Sequence, residues 1–237
     1  MKHEVILKIR TGSRLYGLST EHSDEDFVGI FLNDPSKMYG IFDEPQLFSD
    51  GTISKDENNK NTKEAVDCTY YELRKFCKLA VKATPNILEV LYADEENIVE
   101  CTSVGRELLS LRHLFLSKLV RKTFGGYAVQ ELKKAKAKGD NFSNKSLSHC
   151  GRLIVEGVAL LRDNVIAFPL PEADQLMKIK CGQTDREQTI SGLEEDLNIL
   201  EGIETALGEE PNAKAINMFV TKTYVEHISK YLHGLTT

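Results

Sequence analysis

The chain has 237 residues, 41% hydrophobic and 28% charged, with 36 Asp/Glu against 30 Lys/Arg and a formal net charge of −6. That length buries a real core, as one large domain or two small ones, and the overall acidity argues against a strong general binder of duplex nucleic acid. No apolar run approaches the ~20 residues that cross a bilayer, no N-terminal segment has the layout of a signal peptide, and five scattered cysteines (68, 77, 101, 150, 181) with no Cys-x-x-Cys pair point to free thiols in a reducing cytoplasm rather than to zinc or disulfides.

In chain order, residues 4–10 read as a first strand that ends at Gly12-Ser13, Ser13 to Leu18 as a short helix start, and 26–32 as a second strand. Asp24-Glu25-Asp26 opens that second strand. Residues i and i+2 of a strand share a face, so Asp24 and Asp26 converge, while Glu25 points away. Two converging carboxylates repel unless a cation lies between them, and their hard oxygens favour Mg2+ or Mn2+. Gly12 allows a close backbone approach, and Ser13 offers a hydroxyl and an N–H to a phosphate oxygen. Arg14 stands two residues on, as a phosphate contact or a surface residue, and His22 flanks the pair. An isolated Asp-x-Asp is more often a solvated loop or cap, and it is the upstream Gly-Ser at this distance that favours a metal site.

Residues 33–63, rich in polar residues and carrying Pro35 and Pro45, read as a long loop with a small strand at 38–42 and a mobile polar run at Lys55–Lys63. A third strand is expected at 65–69, with one acid, Asp67. Helices follow at about 70–83, 85–93, 103–118, 124–138, 144–162, 171–180, 186–207 and 212–233. From Arg112 to Arg162 there are eleven Lys/Arg and three acids, a segment of +8 that leaves the rest of the chain at −14. Such a basic middle suits phosphates, although Lys133, Lys134, Lys136 and Lys138 also suit a helix end made soluble before Gly139. Lys145, His149 and Arg152 fall at i, i+4 and i+7, on one helix face, opposite Leu147, Ile154, Val158 and Leu161. That stripe is either a phosphate-binding wall or an ordinary solvated face. Tyr127 is a candidate for base stacking or for packing. The acidic stretch 185–210 reads as a solvated helix face.

Gly-Ser, a spacer of about ten residues and then Asp-x-Asp between apolar runs resembles the signature of DNA polymerase beta-type nucleotidyltransferases. An Asp before Tyr70-Tyr71-Glu72-Leu73-Arg74-Lys75-Phe76, with Pro85-Asn86-Ile87-Leu88-Glu89 after it, resembles one branch in particular, the predicted nucleotidyltransferases linked to bacterial RNA repair that also occur in phages. The likeness is strongest over 9–31 and 65–92. It implies an α+β protein: a small N-terminal polymerase beta-like α/β domain with a mixed sheet (1–95) and an all-α half (96–237).

The resemblance further implies Asp24, Asp26 and Asp67 as metal-binding catalytic carboxylates, Mg2+ or Mn2+ as cofactor, and an NTP held by Gly12, Ser13, Arg14, Lys145, His149 and Arg152. Tyr127 and Glu89 are further substrate contacts, Glu89 alternatively pairing with a basic residue to join the halves. The expected reaction moves a nucleoside monophosphate to a hydroxyl, with RNA or tRNA as acceptor, pyrophosphate as product and no membrane involved. A protein or small-molecule acceptor, as in an antitoxin-like enzyme, and a non-catalytic nucleotide-binding module remain as alternatives.

Overall fold

The computed structural model describes residues 3–38, 45–55, 62, 64–137 and 141–236. Strand β1 (Glu4–Thr11) runs into a short helix, α1 (Gly12–Tyr16), and then β2 (Glu25–Leu32). Helix α2 (Pro35–Met38) precedes β3 (Leu47–Thr52) and β4 (Val66–Glu72). Helices α3 (Leu73–Ala80) and α4 (Pro85–Tyr92) lead to β5 (Ile98–Cys101), and α5 (Ser103–Ser110) follows. The remaining chain is helical: α6 (Leu119–Ala137), α7 (Asn141–Asp163), α8 (Ala173–Lys180), α9 (Arg186–Gly202) and α10 (Ala213–Thr236).

The five strands form one mixed sheet in the order β3-β4-β2-β1-β5. β1 and β2 are antiparallel, with Thr11 opposite Asp26, and β2 and β4 are parallel, with Asp26 opposite Asp67. The chain therefore brings the end of β1, the start of β2 and the start of β4 together at one end of the sheet. Apolar residues at i, i+3, i+4 and i+7 (Leu73, Phe76, Cys77, Ala80) seat α3 in the core, and the Glu72 carboxylate caps it by accepting from the Lys75 N–H. Helix α4 is apolar almost all round and buried from Ile87 to Tyr92, including its one carboxylate, Glu89.

The N-terminal sheet followed by helices is the α+β arrangement expected. The expected loop at 33–63 contains β3, whose register with β4 places Phe48 against Tyr70, the two rings stacked at 4.7 Å. Aromatic cross-strand pairing, absent from any local periodicity, makes that strand. The expected strand at 38–42 and most of the polar run 55–63 lie outside the described residues, except that Met38 ends α2. The third strand extends past residue 69 to Glu72, and the helix expected over 103–118 stops at Ser110 and gives way to a 3-10 turn at Arg112–Phe115.

β5 pairs with β1, so the sheet continues beyond residue 95. At the other end of the chain, α10 packs back on α2 and α3, and the His227 ring nitrogen lies 3.0 Å from the Asn33 carbonyl. The two halves share one continuous core running from Ile6 to Tyr224.

Candidate nucleotide and metal site

The turn from β1 into α1 is built around Gly12, whose φ is +67°. A Cβ there would lie 2.1 Å from the Asp26 Oδ2 atom, so only glycine leaves room for that carboxyl group. Gly17 closes α1 with φ +77°, and a Cβ on it would meet Pro169 at 2.9 Å, which seats the small helix on the segment before α8. A tight turn then returns the chain, with the Ser23 N–H donating to the Thr20 carbonyl, and β2 begins as the Glu25 N–H donates to the Ala65 carbonyl.

Asp24 and Asp26 line a cavity of about 710 Å³ between this end of the sheet and the helices. Ser13 and Tyr16 line it from α1, Tyr127 and Lys134 from α6, and Lys145, His149 and Arg152 from α7. Asp67 stands beside Asp26 on β4, close enough to act on its charge, but off the cavity lining. Burial first, and then the neighbouring Asp24 and Asp67, push the Asp26 carboxyl up to about 6, with Lys145 opposing. Among the described residues no three His, Cys, Asp or Glu side chains stand close enough together to hold an ion in their present positions. As a donor set the three aspartates nonetheless fit Mg2+ or Mn2+: they offer hard oxygens only, and a cation would offset the repulsion among them, the second cause of the raised Asp26 after burial.

The expected nucleotide contacts divide. Lys145 faces the carboxylates from α7 and is exposed. Arg14 is turned to the loop: its guanidinium donates to the Ser23 and Asp24 carbonyls at 3.1 and 3.3 Å and pairs with Glu25 at 2.8 Å. It shapes the Asp-x-Asp turn and is not among the cavity-lining residues. Glu25 points away as its strand position requires, and His22 stays in solvent beside Glu21.

Arg152 is on the cavity wall but 6% exposed, held by Glu89 at 2.5 Å and Glu156 at 2.8 Å. Its charge is spent inside the protein, so the Lys-His-Arg stripe does not present three cations. His149 is 43% exposed, and its partial burial first, and then Arg152, push its imidazole down to about 4. Glu89, 1% exposed, pairs with Arg152 and accepts from the Tyr16 hydroxyl, which ties the halves together rather than opening to the cavity. Tyr127 is 47% exposed on the cavity side of α6.

Two lysines on the wall lie outside the motif reading. Lys180, at the end of α8, donates to the Leu18 carbonyl at 2.6 Å and senses the charge of Asp24, while burial and the neighbouring Lys145 push its ammonium down. Lys134 pairs with Glu131 at 2.6 Å. The basic composition of 112–162 was the signal available for Lys134. Nothing local marks Lys180, which reaches the site only because α8 packs against α7. No helix among the described residues is long and apolar enough to cross a membrane.

An uncharacterized 38.9 kDa protein from the nrdC-mobD intergenic region of Enterobacteria phage T4 is 30% identical to this chain over 142 residues, 59% of the chain. The match spans 41% of the phage protein, well under two thirds of its length. The crystal structure of a nucleotidyltransferase-like protein from Exiguobacterium sibiricum 255-15 overlaps 84% of this chain and 71% of its own, at 11% identity and a TM-score of 0.37. Residues 1–236 match the model of the RNA repair pathway DNA polymerase beta family (RlaP). The chain belongs to that RNA repair pathway DNA polymerase beta family.

Proposed function

We propose that this protein is a metal-dependent nucleotidyltransferase that moves a nucleoside monophosphate from an NTP to a hydroxyl of RNA. One observation carries the reading: Asp24 and Asp26 meet Lys145 and Lys180 across a single cavity that opens beside the Gly12-Ser13 turn. Carboxylates alone repel a triphosphate, and lysines alone give no handle on a metal. Facing each other they suit a metal-bound triphosphate.

Asp24, Asp26 and Asp67 would hold the divalent ion, which when bound supplies charge neutralisation at the phosphates and a more acidic acceptor hydroxyl. The protein's own groups position and compensate charge. Ser13 offers its hydroxyl and N–H to phosphate oxygens, and Lys145 and Lys180 balance the negative charge that builds on the leaving pyrophosphate. Tyr127 offers an exposed ring to a base. The acceptor oxygen bonds to the α-phosphorus as the bond to the bridging oxygen of pyrophosphate breaks, and the hydroxyl proton leaves to solvent. His149 offers no free ring lone pair for that proton, because its Nε2 atom already accepts from Arg152. RNA as acceptor draws support from the family to which the chain belongs and from the +8 segment between Arg112 and Arg162 that builds the helical wall.

The test is incubation of the protein with Mg2+ or Mn2+, each α-labelled NTP in turn and total cellular RNA, beside Asp24→Ala/Asp26→Ala. Label in RNA, lost in the variant, is the expected result. Label on protein or small molecules would replace the acceptor, and no metal-dependent label anywhere would sink the reading.

A further inference from the structure

Between α1, α4 and α7 lies a buried polar cluster that the chemistry above does not use. Its centre is Arg152. The Nη1 atom donates to Glu89 at 2.5 Å and to both Glu156 oxygens at 2.8 and 3.0 Å, and Nη2 lies 2.7 Å from Nε2 of His149. The guanidinium also covers the Tyr16 ring, 4.1 Å from its centroid, and the Tyr16 hydroxyl donates to the other Glu89 oxygen at 2.5 Å.

We propose that Arg152 is a positioning residue: through Tyr16 and Glu89 it fixes the Ser13-bearing helix α1 to α4 and α7, and through His149 it fixes the imidazole on the cavity wall as a neutral Nδ1–H donor. The proposal rests on the nucleotide reading of the cavity for its effect on turnover, and on hydrogen-bond geometry alone for the imidazole.

Helix α1 has five residues and no side-chain cap at its N-terminus, too little to hold a shape by itself. Ser13 and Tyr16 are three residues apart, hence on one face, and both line the cavity. Whatever fixes Tyr16 therefore fixes Ser13. The fixing groups come from far along the chain, 73 residues from Tyr16 to Glu89 and a further 63 to Arg152.

An arginine only donates, so Nε2 of His149 must carry its lone pair and the proton sits on Nδ1. That nitrogen is 3.9 Å from the Glu131 carboxylate on α6. The charged groups acting on the ring are Arg152 on its own helix, Glu131 and Lys134 on α6 and Glu89 on α4. The ring thus has a proton to give to an acceptor in the cavity and no lone pair to receive one. The low basicity of His149 agrees with this, since burial and Arg152 both oppose a second proton.

The cluster also balances its charge. Two carboxyls face one guanidinium, and burial, with Glu89 beside it, raises the Glu156 carboxyl well above the usual range against the pull of Arg152.

The experiment uses the full chain, wild type and with Tyr16→Phe or Arg152→Lys. Long-range 1H–15N NMR, with His149→Gln for assignment, reads the imidazole directly. Wild type is expected to show a neutral Nδ1–H ring at pH 7 and down to about pH 5. Arg152→Lys keeps the charge and the burial but removes the Nη2 donor at Nε2, so it should let the ring populate the Nε2–H tautomer. Tyr16→Phe keeps the ring and its burial and removes one hydrogen bond, so it should fold. Its kcat should fall on the order of 10-fold with KM for NTP changed less, because Ser13 is misplaced rather than removed.

A wild-type His149 that is protonated at pH 7, or is Nε2–H, overturns the proposal while the nucleotide reading stands. So do Tyr16→Phe and Arg152→Lys proteins that both turn over like wild type. A wild type that neither binds nor transfers NTP while His149 is Nδ1–H overturns the nucleotide reading, and with it the effect on turnover, but not the tautomer.

Discussion

The cavity has two walls made on different principles. The sheet wall is local: Gly12, Ser13, Asp24 and Asp26 lie within 15 residues, and Thr11 pairing with Asp26 brings the two ends of that stretch together. The helical wall is assembled from α6, α7 and α8, and its residues do what their neighbours permit. Three polar residues on one face of α7 show the difference. Lys145 faces the aspartates, His149 lies against the Arg152 guanidinium, which lowers its basicity, and Arg152 is consumed by Glu89 and Glu156. A helix face fixes direction, but the residues packed on it decide whether a cation is available.

That contrast can be broken most sharply on the sheet wall. Asp24→Ala or Asp26→Ala should lower transfer by about 10³-fold or more in a folded protein, several kcal/mol of charge stabilisation being lost, as read by label transfer. Gly12→Ala should come next. The residue has φ +67° and its added methyl would collide with Asp26, so a fold cost of about 1–2 kcal/mol and a loss of turnover near 10²-fold are expected from melting curves and kinetics. On the helical wall, Lys145→Ala removes a charge-assisted contact and should raise KM for NTP by roughly 10-fold, with a smaller change in kcat.

A stability measurement sharpens the electrostatics. The Asp26 carboxyl is raised from 3.8 to about 6 in the folded protein, so ionising it costs stability. That cost grows as pH rises through this window and is complete above it. Asp26→Asn, neutral throughout, should therefore melt a few degrees higher than wild type at pH 7.5 without divalent cation, and the gain should vanish near pH 3.5. Added Mg2+ should stabilise wild type more than the variant. The smallest effect belongs to Glu156→Gln. An amide of the same shape keeps an oxygen acceptor for Arg152, and burial already disfavours the Glu156 charge, so the change in stability should be less than about 1 kcal/mol, whereas Glu89→Gln strips the counter-charge from a buried guanidinium and should cost more.

The legible part of the molecule follows the same division. Asp26 and Gly12 were readable because a strand start and a short spacer fix their geometry without the rest of the chain, and Asp24 follows from lying one residue before that strand. The apolar spacing of Leu73, Phe76, Cys77 and Ala80 likewise declared α3. β3 was not readable, since its strand character comes from Phe48 stacking on a residue 22 positions away, and β5 was hidden by its length of four residues. Glu89 was readable as a substrate contact or as the partner of a basic residue, but which of the two was not, since Arg152 reaches it only once the helices are packed. Lys180 was invisible for the same reason: it joins the site from a helix whose own sequence carries no phosphate-binding signal.

Titration calorimetry of a non-hydrolysable NTP analogue, with and without Mg2+, against wild type, Asp26→Asn and Lys145→Ala, tests most directly the claim that both walls grip one metal-bound triphosphate. Mg2+-dependent binding by wild type that weakens about 10-fold or more in each variant is the predicted result. Binding that is indifferent to Mg2+ and equal in all three proteins would contradict it.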